Sequence, residues 1–110
     1  MSKGPWLSPS AEAALDEIYA YTVDRFGEAQ ADAYLTGLLA RVAEIDAGAA
    51  HSRALPPELE IDALSCRYRS HVIYWKTLAD GRTGVFAILH GARDLPRHLA
   101  AAFEEVDGDA

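Results

Sequence analysis

Two consecutive stretches of the chain carry mostly apolar residues at helical spacing. In the first, positions i, i+3, i+4, i+7 and i+11 share one helix face and are occupied by Leu15, Ile18, Tyr19, Thr22 and Phe26. Ser8 followed by Pro9 is typical of a helix start, because serine caps free backbone N–H groups and proline fits the first turn. Gly27 is typical of the residue that follows a helix. The pattern therefore predicts a first helix that ends at Phe26.

The second stretch, residues 28–46, repeats this spacing and predicts a second helix that Gly48 closes. Its apolar face consists of Ala31, Leu35, Leu38, Val42 and Ile45. A link of only one or two residues between helices of this length favours an antiparallel helical hairpin. The two apolar faces cannot be covered by each other alone, so the hairpin needs a third surface.

In the second half of the chain the pattern changes to that of strands. Residues 65–77 are rich in β-branched and aromatic side chains, and Asp80-Gly81 is a typical hairpin turn. Residues 85–90 form a nearly continuous apolar run, as expected for a strand that is central or covered on both faces. We expect these segments to form the sheet on which the helices pack.

The remaining segments are less regular. Residues 5–7 predict one brief N-terminal strand, whereas residues 47–64, with Pro56-Pro57 and no sustained period, predict a long loop. A last turn or helix is expected to begin near Pro96. The sequence thus predicts the α+β class: an N-terminal strand and an antiparallel helical hairpin packed on a small antiparallel β-sheet.

Composition and charge narrow the possible functions. The chain has 110 residues, ten basic and seventeen acidic, and a net charge of −7, which disfavours extensive binding to nucleic acid. No apolar stretch reaches the roughly 18 residues that a membrane span needs. The lone Cys66 cannot form an internal disulfide or a cysteine-cluster zinc site. We expect one cytoplasmic domain over residues 1–110, with residues 107–110 frayed.

Histidines are the first candidates for chemistry, but their context is poor. His51, His71, His90 and His98 occur in no metal-binding motif, although alternation along neighbouring strands lets His71 and His90 approach each other. A structural role is favoured over a metal pair, because no further ligands are evident. Cys66 is expected to be a small core residue. We therefore predict no metal and no cofactor.

The basic residues form one local concentration. If residues 65–77 make one strand, Arg67, Arg69 and His71 alternate onto the same face. His90, Arg93, Arg97 and His98 follow the partner strand. These arginines could simply pair with Glu58, Glu60 or Asp62, or they could recognise a carboxylate-rich or phosphate-bearing partner. The residues alone leave both interpretations of these arginines open.

Four segments, taken in order, resemble the ParE branch of the RelE/ParE toxin superfamily. They are Leu7-Ser8-Pro9-Ser10-Ala11, Phe26-Gly27-Glu28-Ala29-Gln30-Ala31, Arg67-Tyr68-Arg69-Ser70-His71-Val72-Ile73-Tyr74-Trp75 and Ile88-Leu89-His90-Gly91-Ala92-Arg93-Asp94. The resemblance implies a helical hairpin on a small antiparallel sheet. It also implies the toxin of a type II toxin–antitoxin pair, neutralised by a ParD-like antitoxin, that poisons DNA gyrase and blocks replication.

The RelE-like relatives instead cleave mRNA in the ribosome, and the resemblance separates the two branches by residue. The lysines typical of those ribonucleases fall near Asp62 and Leu64, and their central arginine falls near His71. Their C-terminal tyrosine falls near His98 or Leu99, and Arg93 alone matches. The chain is therefore expected to be non-enzymatic. The alternatives are a ribosome-dependent ribonuclease that uses Arg93 with His71 or His90, and a relative that has lost toxicity.

The antitoxin is expected to lie across the hairpin and along the sheet. Apolar surface that the core does not need would receive it, from Tyr19, Tyr21, Phe26, Tyr34, Tyr74 and Trp75. The predicted residues for antitoxin or target binding are Arg67, Arg69, His71, His90, Arg93, Tyr19, Tyr74 and Trp75.

Overall fold

A computed structural model describes residues 4–91 and 102–103. Its helices and strands are β1 (Trp6–Leu7), α1 (Pro9–Phe26), α2 (Glu28–Asp46), β2 (Arg53–Ala54), β3 (Leu64–Tyr68), β4 (His71–Thr77) and β5 (Thr83–His90). A short 3₁₀ helix, Pro57–Leu59, lies between β2 and β3. The α+β class is confirmed. In the described part of the chain, neither helix is long and apolar enough to cross a membrane.

The start of α1 is fixed by Ser8, as predicted. Its backbone is extended, and its hydroxyl oxygen accepts a hydrogen bond from the Ala11 N–H at 3.1 Å. The same hydroxyl donates to the Phe86 carbonyl at 3.1 Å, and the Ser8 N–H donates to the Val85 carbonyl at 2.9 Å. Ser8 is completely buried, so this cap also ties the helix to β5.

One residue, Gly27, connects the two helices. Its N–H donates to the Val23 carbonyl at 2.9 Å, and its own carbonyl accepts from the Ala31 N–H at 3.1 Å. Its φ of 91° and ψ of 167° belong to a region that only glycine adopts readily. Farther from this junction, the Tyr19 hydroxyl donates to Asp32 Oδ1 at 2.7 Å and joins the helices. The predicted hairpin and both helix boundaries are confirmed.

The five strands form one sheet in the order β1-β5-β4-β3-β2. All neighbouring pairs are antiparallel except β1 and β5, which are parallel. Residues 65–77 do not form one strand, because a tight turn at Arg69-Ser70 separates β3 from β4. The long loop predicted over residues 47–64 contains two short elements, since β2 pairs with β3 and the 3₁₀ helix follows it.

The sheet is covered on both faces along β5. On the helix side, Val85 and Ile88 pack with Leu38, Val42 and Ile73. On the outer side, Phe86 and Ala87 pack in a second cluster whose other buried members are Ala63, Tyr74 and Ala102. Cys66 is buried in the helix-side core, as predicted. Of the predicted last helix, Ala102 and Phe103 are helical, and its start near Pro96 lies outside the described residues.

Candidate partner-binding site

An open cleft of about 820 Å³ lies between the helical hairpin and one end of the sheet. Ala14, Ile18 and Ile88 contribute apolar surface to it, and Tyr21 and Phe26 stand at its edge. Tyr21 is 57% exposed and Phe26 is 66% exposed. Large aromatic side chains grouped at a concave surface are typical of an interaction site rather than of scattered surface residues.

The strand side of the cleft carries the two histidines predicted to approach each other. His71 and His90 are paired directly across β4 and β5, and their ring centroids are 5.3 Å apart in an edge-to-face arrangement. The prediction is confirmed. The hydroxyl of Tyr34, from α2, lies 2.7 Å from His71 Nδ1 and 3.3 Å from the Ser70 hydroxyl.

The charge of His71 follows from this packing. Burial lowers the pKa of His71, and the neighbouring His90 acts in the same direction. The Tyr34 hydroxyl and His71 Nδ1 share a hydrogen bond whose direction follows the tautomer of the ring. The lowered pKa favours the uncharged imidazole over the cationic form at this position of the cleft wall.

The prediction that Arg67, Arg69 and His71 share one face is wrong. Alternation holds only along a continuous strand, and Arg69 lies in the turn with a left-handed φ of 52°. Arg67 pairs with Val72 and lies on the outer face, whereas His71 faces the helices. Arg93, with Arg97 and His98, lies outside the described residues.

The arginines are nevertheless close to one another around the β3–β4 turn. Arg67 Nη1 donates to the Arg69 carbonyl at 3.0 Å, and Arg69 Nε donates to the Tyr68 hydroxyl at 3.3 Å. Pairing with Glu58, Glu60 or Asp62 is not observed. Within residues 4–91 and 102–103, neither Arg67 nor Arg69 forms an ion pair with a carboxylate.

Arg41 joins this group, and sequence reasoning missed it. It lies on α2, where its Nη1 donates to the Arg67 carbonyl at 2.6 Å and its Nε pairs with Glu44 at 2.8 Å. Twenty-six positions separate Arg41 from Arg67, so no local pattern connects them. The only signal in the sequence is the glycine at position 37 of α2. Its reason is the close approach of α2 to the sheet, where a Cβ on Gly37 would collide with the Tyr68 hydroxyl.

Three predicted aromatic contacts have other roles in the fold. The Tyr19 hydroxyl is bonded to Asp32, which raises the pKa of Tyr19, and this residue borders a second, smaller cleft of about 430 Å³. Tyr74 is only 4% exposed in the outer core, so its placement on a partner-binding surface is wrong. Trp75 is half-buried, and its Nε1 donates to the Ser52 hydroxyl at 3.0 Å.

Comparison with known proteins agrees with this architecture. Residues 7–95 match the family described as the ParE toxin of the type II toxin–antitoxin system parDE. Toxin ParE1 of Mycobacterium tuberculosis, from strains CDC 1551/Oshkosh and ATCC 25618/H37Rv, is 33% identical over 104 residues. That alignment covers 90% of this chain and the whole of either relative. The chain therefore belongs to the ParE toxin family of type II toxin–antitoxin systems.

Proposed function

We propose that this chain is a non-enzymatic cytoplasmic toxin that poisons DNA gyrase and is held inactive by a ParD-like antitoxin. The antitoxin segment occupies the cleft between the hairpin and the sheet. The observation that carries the antitoxin proposal is the exposure of Tyr21 and Phe26 beside that cleft.

The cleft has the chemistry of a groove for a peptide segment. An amphipathic segment that lays apolar side chains into a hydrophobic groove gains affinity from the area removed from water. Fully covering one large apolar side chain contributes roughly 1.5–3 kcal/mol. Tyr21 and Phe26 keep most of their surface for such a segment, because neither is needed in the two cores.

Two features of the chain, one in its sequence and one in the cleft, also favour binding over phosphoryl chemistry. A ribonuclease needs positively charged groups aimed at the negative charge that develops on the phosphoryl group in the transition state. Asp62 and Leu64 replace the lysines expected in the RelE-like branch. The lowered pKa of His71 disfavours its cationic form. These two features support the non-enzymatic branch.

One observation keeps the ribonuclease as a second candidate. His71 and His90 stand side by side in an open cleft, and two histidines at such a site can act as acid and base. Arg93 would then supply the cation.

Purified chain tested on two reactions separates these candidates. We expect inhibition of gyrase-catalysed supercoiling with accumulation of cleaved DNA, and unchanged protein synthesis in a bacterial extract. Adding the protein encoded by the adjacent reading frame should restore supercoiling. Inhibited translation with normal supercoiling would favour the ribonuclease, and no effect on either reaction would indicate a relative that has lost toxicity.

A further inference from the structure

We propose that the arginine turn, formed by Arg67 and Arg69 with Arg41 beside them, extends the cleft into a site for a peptide segment with an acidic end. Apolar side chains of the segment fill the cleft, and its carboxylates lie against Arg67 and Arg69. The proposal rests on the proposed function only in taking the occupant of the cleft to be a protein segment.

A continuous row of rings connects the cleft to the arginine turn. The His90 and His71 rings are 5.3 Å apart, His71 and Tyr34 are 5.6 Å apart, and Tyr34 and Tyr68 are 5.4 Å apart. Each contact is edge-to-face. The guanidinium carbon of Arg69 then lies 5.7 Å from the centre of the Tyr68 ring. A segment leaving the cleft along this row therefore reaches Arg69, and Arg67 Nη1 lies 3.0 Å from the Arg69 carbonyl at the same turn.

Arg67 and Arg69 retain most of their capacity to bind an anion. Both are exposed, and a guanidinium carries five N–H donors. Among the described residues, each side chain donates a single hydrogen bond, from Arg67 Nη1 and from Arg69 Nε. Neither faces a carboxylate at ion-pair distance there. Carboxylates and guanidinium groups pair in a bidentate geometry that suits these remaining donors.

Arg41 holds the turn in place and contributes less to recognition. Its guanidinium already binds Glu44 and the Arg67 carbonyl, and it lies 5.6 Å from the Tyr68 ring on α2. The Tyr68 ring thus contacts two guanidinium groups, that of Arg41 from α2 and that of Arg69 from the β3–β4 turn. This packing fixes the position of the turn. The guanidinium groups of Arg67 and Arg69 are therefore held near the end of the cleft that Ser70 lines.

Charge favours an acidic protein segment over a nucleic acid. A nucleic acid carries closely spaced charges along its length, and beyond the turn it would meet a chain of net charge −7. A peptide needs only a few carboxylates, and these can be confined to the turn. Glu17 lines the cleft itself, so acidic residues are unfavourable there and apolar residues are favoured.

Labelled synthetic peptides test the proposal on the full chain. All peptides share the same apolar helix-forming stretch. One carries glutamates at its C-terminal end, one carries them at its N-terminal end, and in the control peptides glutamines replace the glutamates. Fluorescence anisotropy should show one glutamate peptide binding about tenfold more tightly than the glutamine peptide. That preference should shrink in high salt.

Substitution of the two arginines locates the effect. In the double variant Arg67→Gln/Arg69→Gln the preference should disappear, while the affinity for the glutamine peptide should not change. Arg53→Gln is the matched control, because Arg53 is also exposed but pairs with Ser65 at the other end of β3. It should keep the preference.

Three outcomes would overturn the proposal. They are equal binding of glutamate and glutamine peptides, unchanged preference in the double variant, and tighter arginine-dependent binding of a short labelled RNA than of any peptide. If no peptide binds at all, the proposal is also overturned, because the glutamate and glutamine peptides then do not differ. Inhibition of gyrase is measured on the isolated chain without peptide, so failure of one proposal is distinguishable from failure of the other.

Discussion

At the scale of single residues, His71 shows how packing sets charge at the cleft. Tyr34 from α2 and His90 from β5 contact its ring, and Glu17 from α1 lines the same cleft. Burial, followed by the proximity of His90, lowers its pKa below the ordinary value of about 6.5. The folded protein therefore binds this proton less readily than the unfolded chain does.

This shift predicts a pH dependence of stability. The free energy of unfolding should be highest above about pH 6.5 and should fall as the pH drops through that value, because the unfolded state then binds the extra proton. In His71→Gln this part of the decrease should be absent between about pH 8 and pH 5. The measurement is the urea midpoint as a function of pH.

The exposed His51, in the segment after α2, provides the matched control. His51→Gln should keep the pH dependence of the unsubstituted chain. If His71→Gln and the unsubstituted chain lose stability in parallel as the pH falls, the account of His71 is wrong.

The arginines show where prediction from single residues fails. Alternation along a strand would place Arg67, Arg69 and His71 together, but the chain reverses at Arg69-Ser70 without the glycine that usually marks such a turn. Tertiary packing of Tyr68 against Gly37 and Arg41 holds this region instead. Contacts between distant residues have no signal in a local pattern.

At the scale of elements, the hairpin depends on the conformation of Gly27. It ends α1 and begins α2 with φ 91° and ψ 167°, values that strain any residue with a side chain. Gly27→Ala should lower the free energy of unfolding by about 1–3 kcal/mol. Since no atom lies within 4 Å of a Cβ at this position, the loss would come from the backbone alone.

Urea denaturation of Gly27→Ala beside Thr36→Ala measures this strain. Thr36 is exposed on α2, so its substitution should change stability by no more than about 0.5 kcal/mol. Equal stability of the two variants would show that the junction tolerates a side chain and that the hairpin angle does not depend on glycine.

Elements differed in how well the sequence predicted them. α1 and α2 have strong local signals at both ends, in Ser8, Pro9, Gly27 and Gly48, and β5 has its continuous apolar run. β2 is only Arg53–Ala54, both exposed, and exists because it pairs with β3. A strand of that length has no period to detect, which is why residues 47–64 were predicted as a loop.

At the scale of the whole molecule, the two cores leave apolar surface of the described residues open in the larger and the smaller cleft. The helices cover one face of the sheet, and Phe103 contacts Phe86 on the other with ring centroids 5.3 Å apart. Among the described residues, the large apolar side chains with high exposure are Tyr21, Phe26 and Leu39. The first two line the cleft, whereas Leu39 lines the smaller one. This distribution is the reason for proposing the larger cleft as the partner's site.

The most direct test of this account is the amount of adjacent-frame protein that co-purifies with the tagged chain. We predict equal recovery with the unsubstituted chain and with Leu39→Ser, which removes an exposed apolar side chain outside the larger cleft. Tyr21→Ser/Phe26→Ser should lose most of the partner while it keeps the thermal stability of the unsubstituted chain. Equal recovery with all three chains, or none with the unsubstituted chain, would contradict the account.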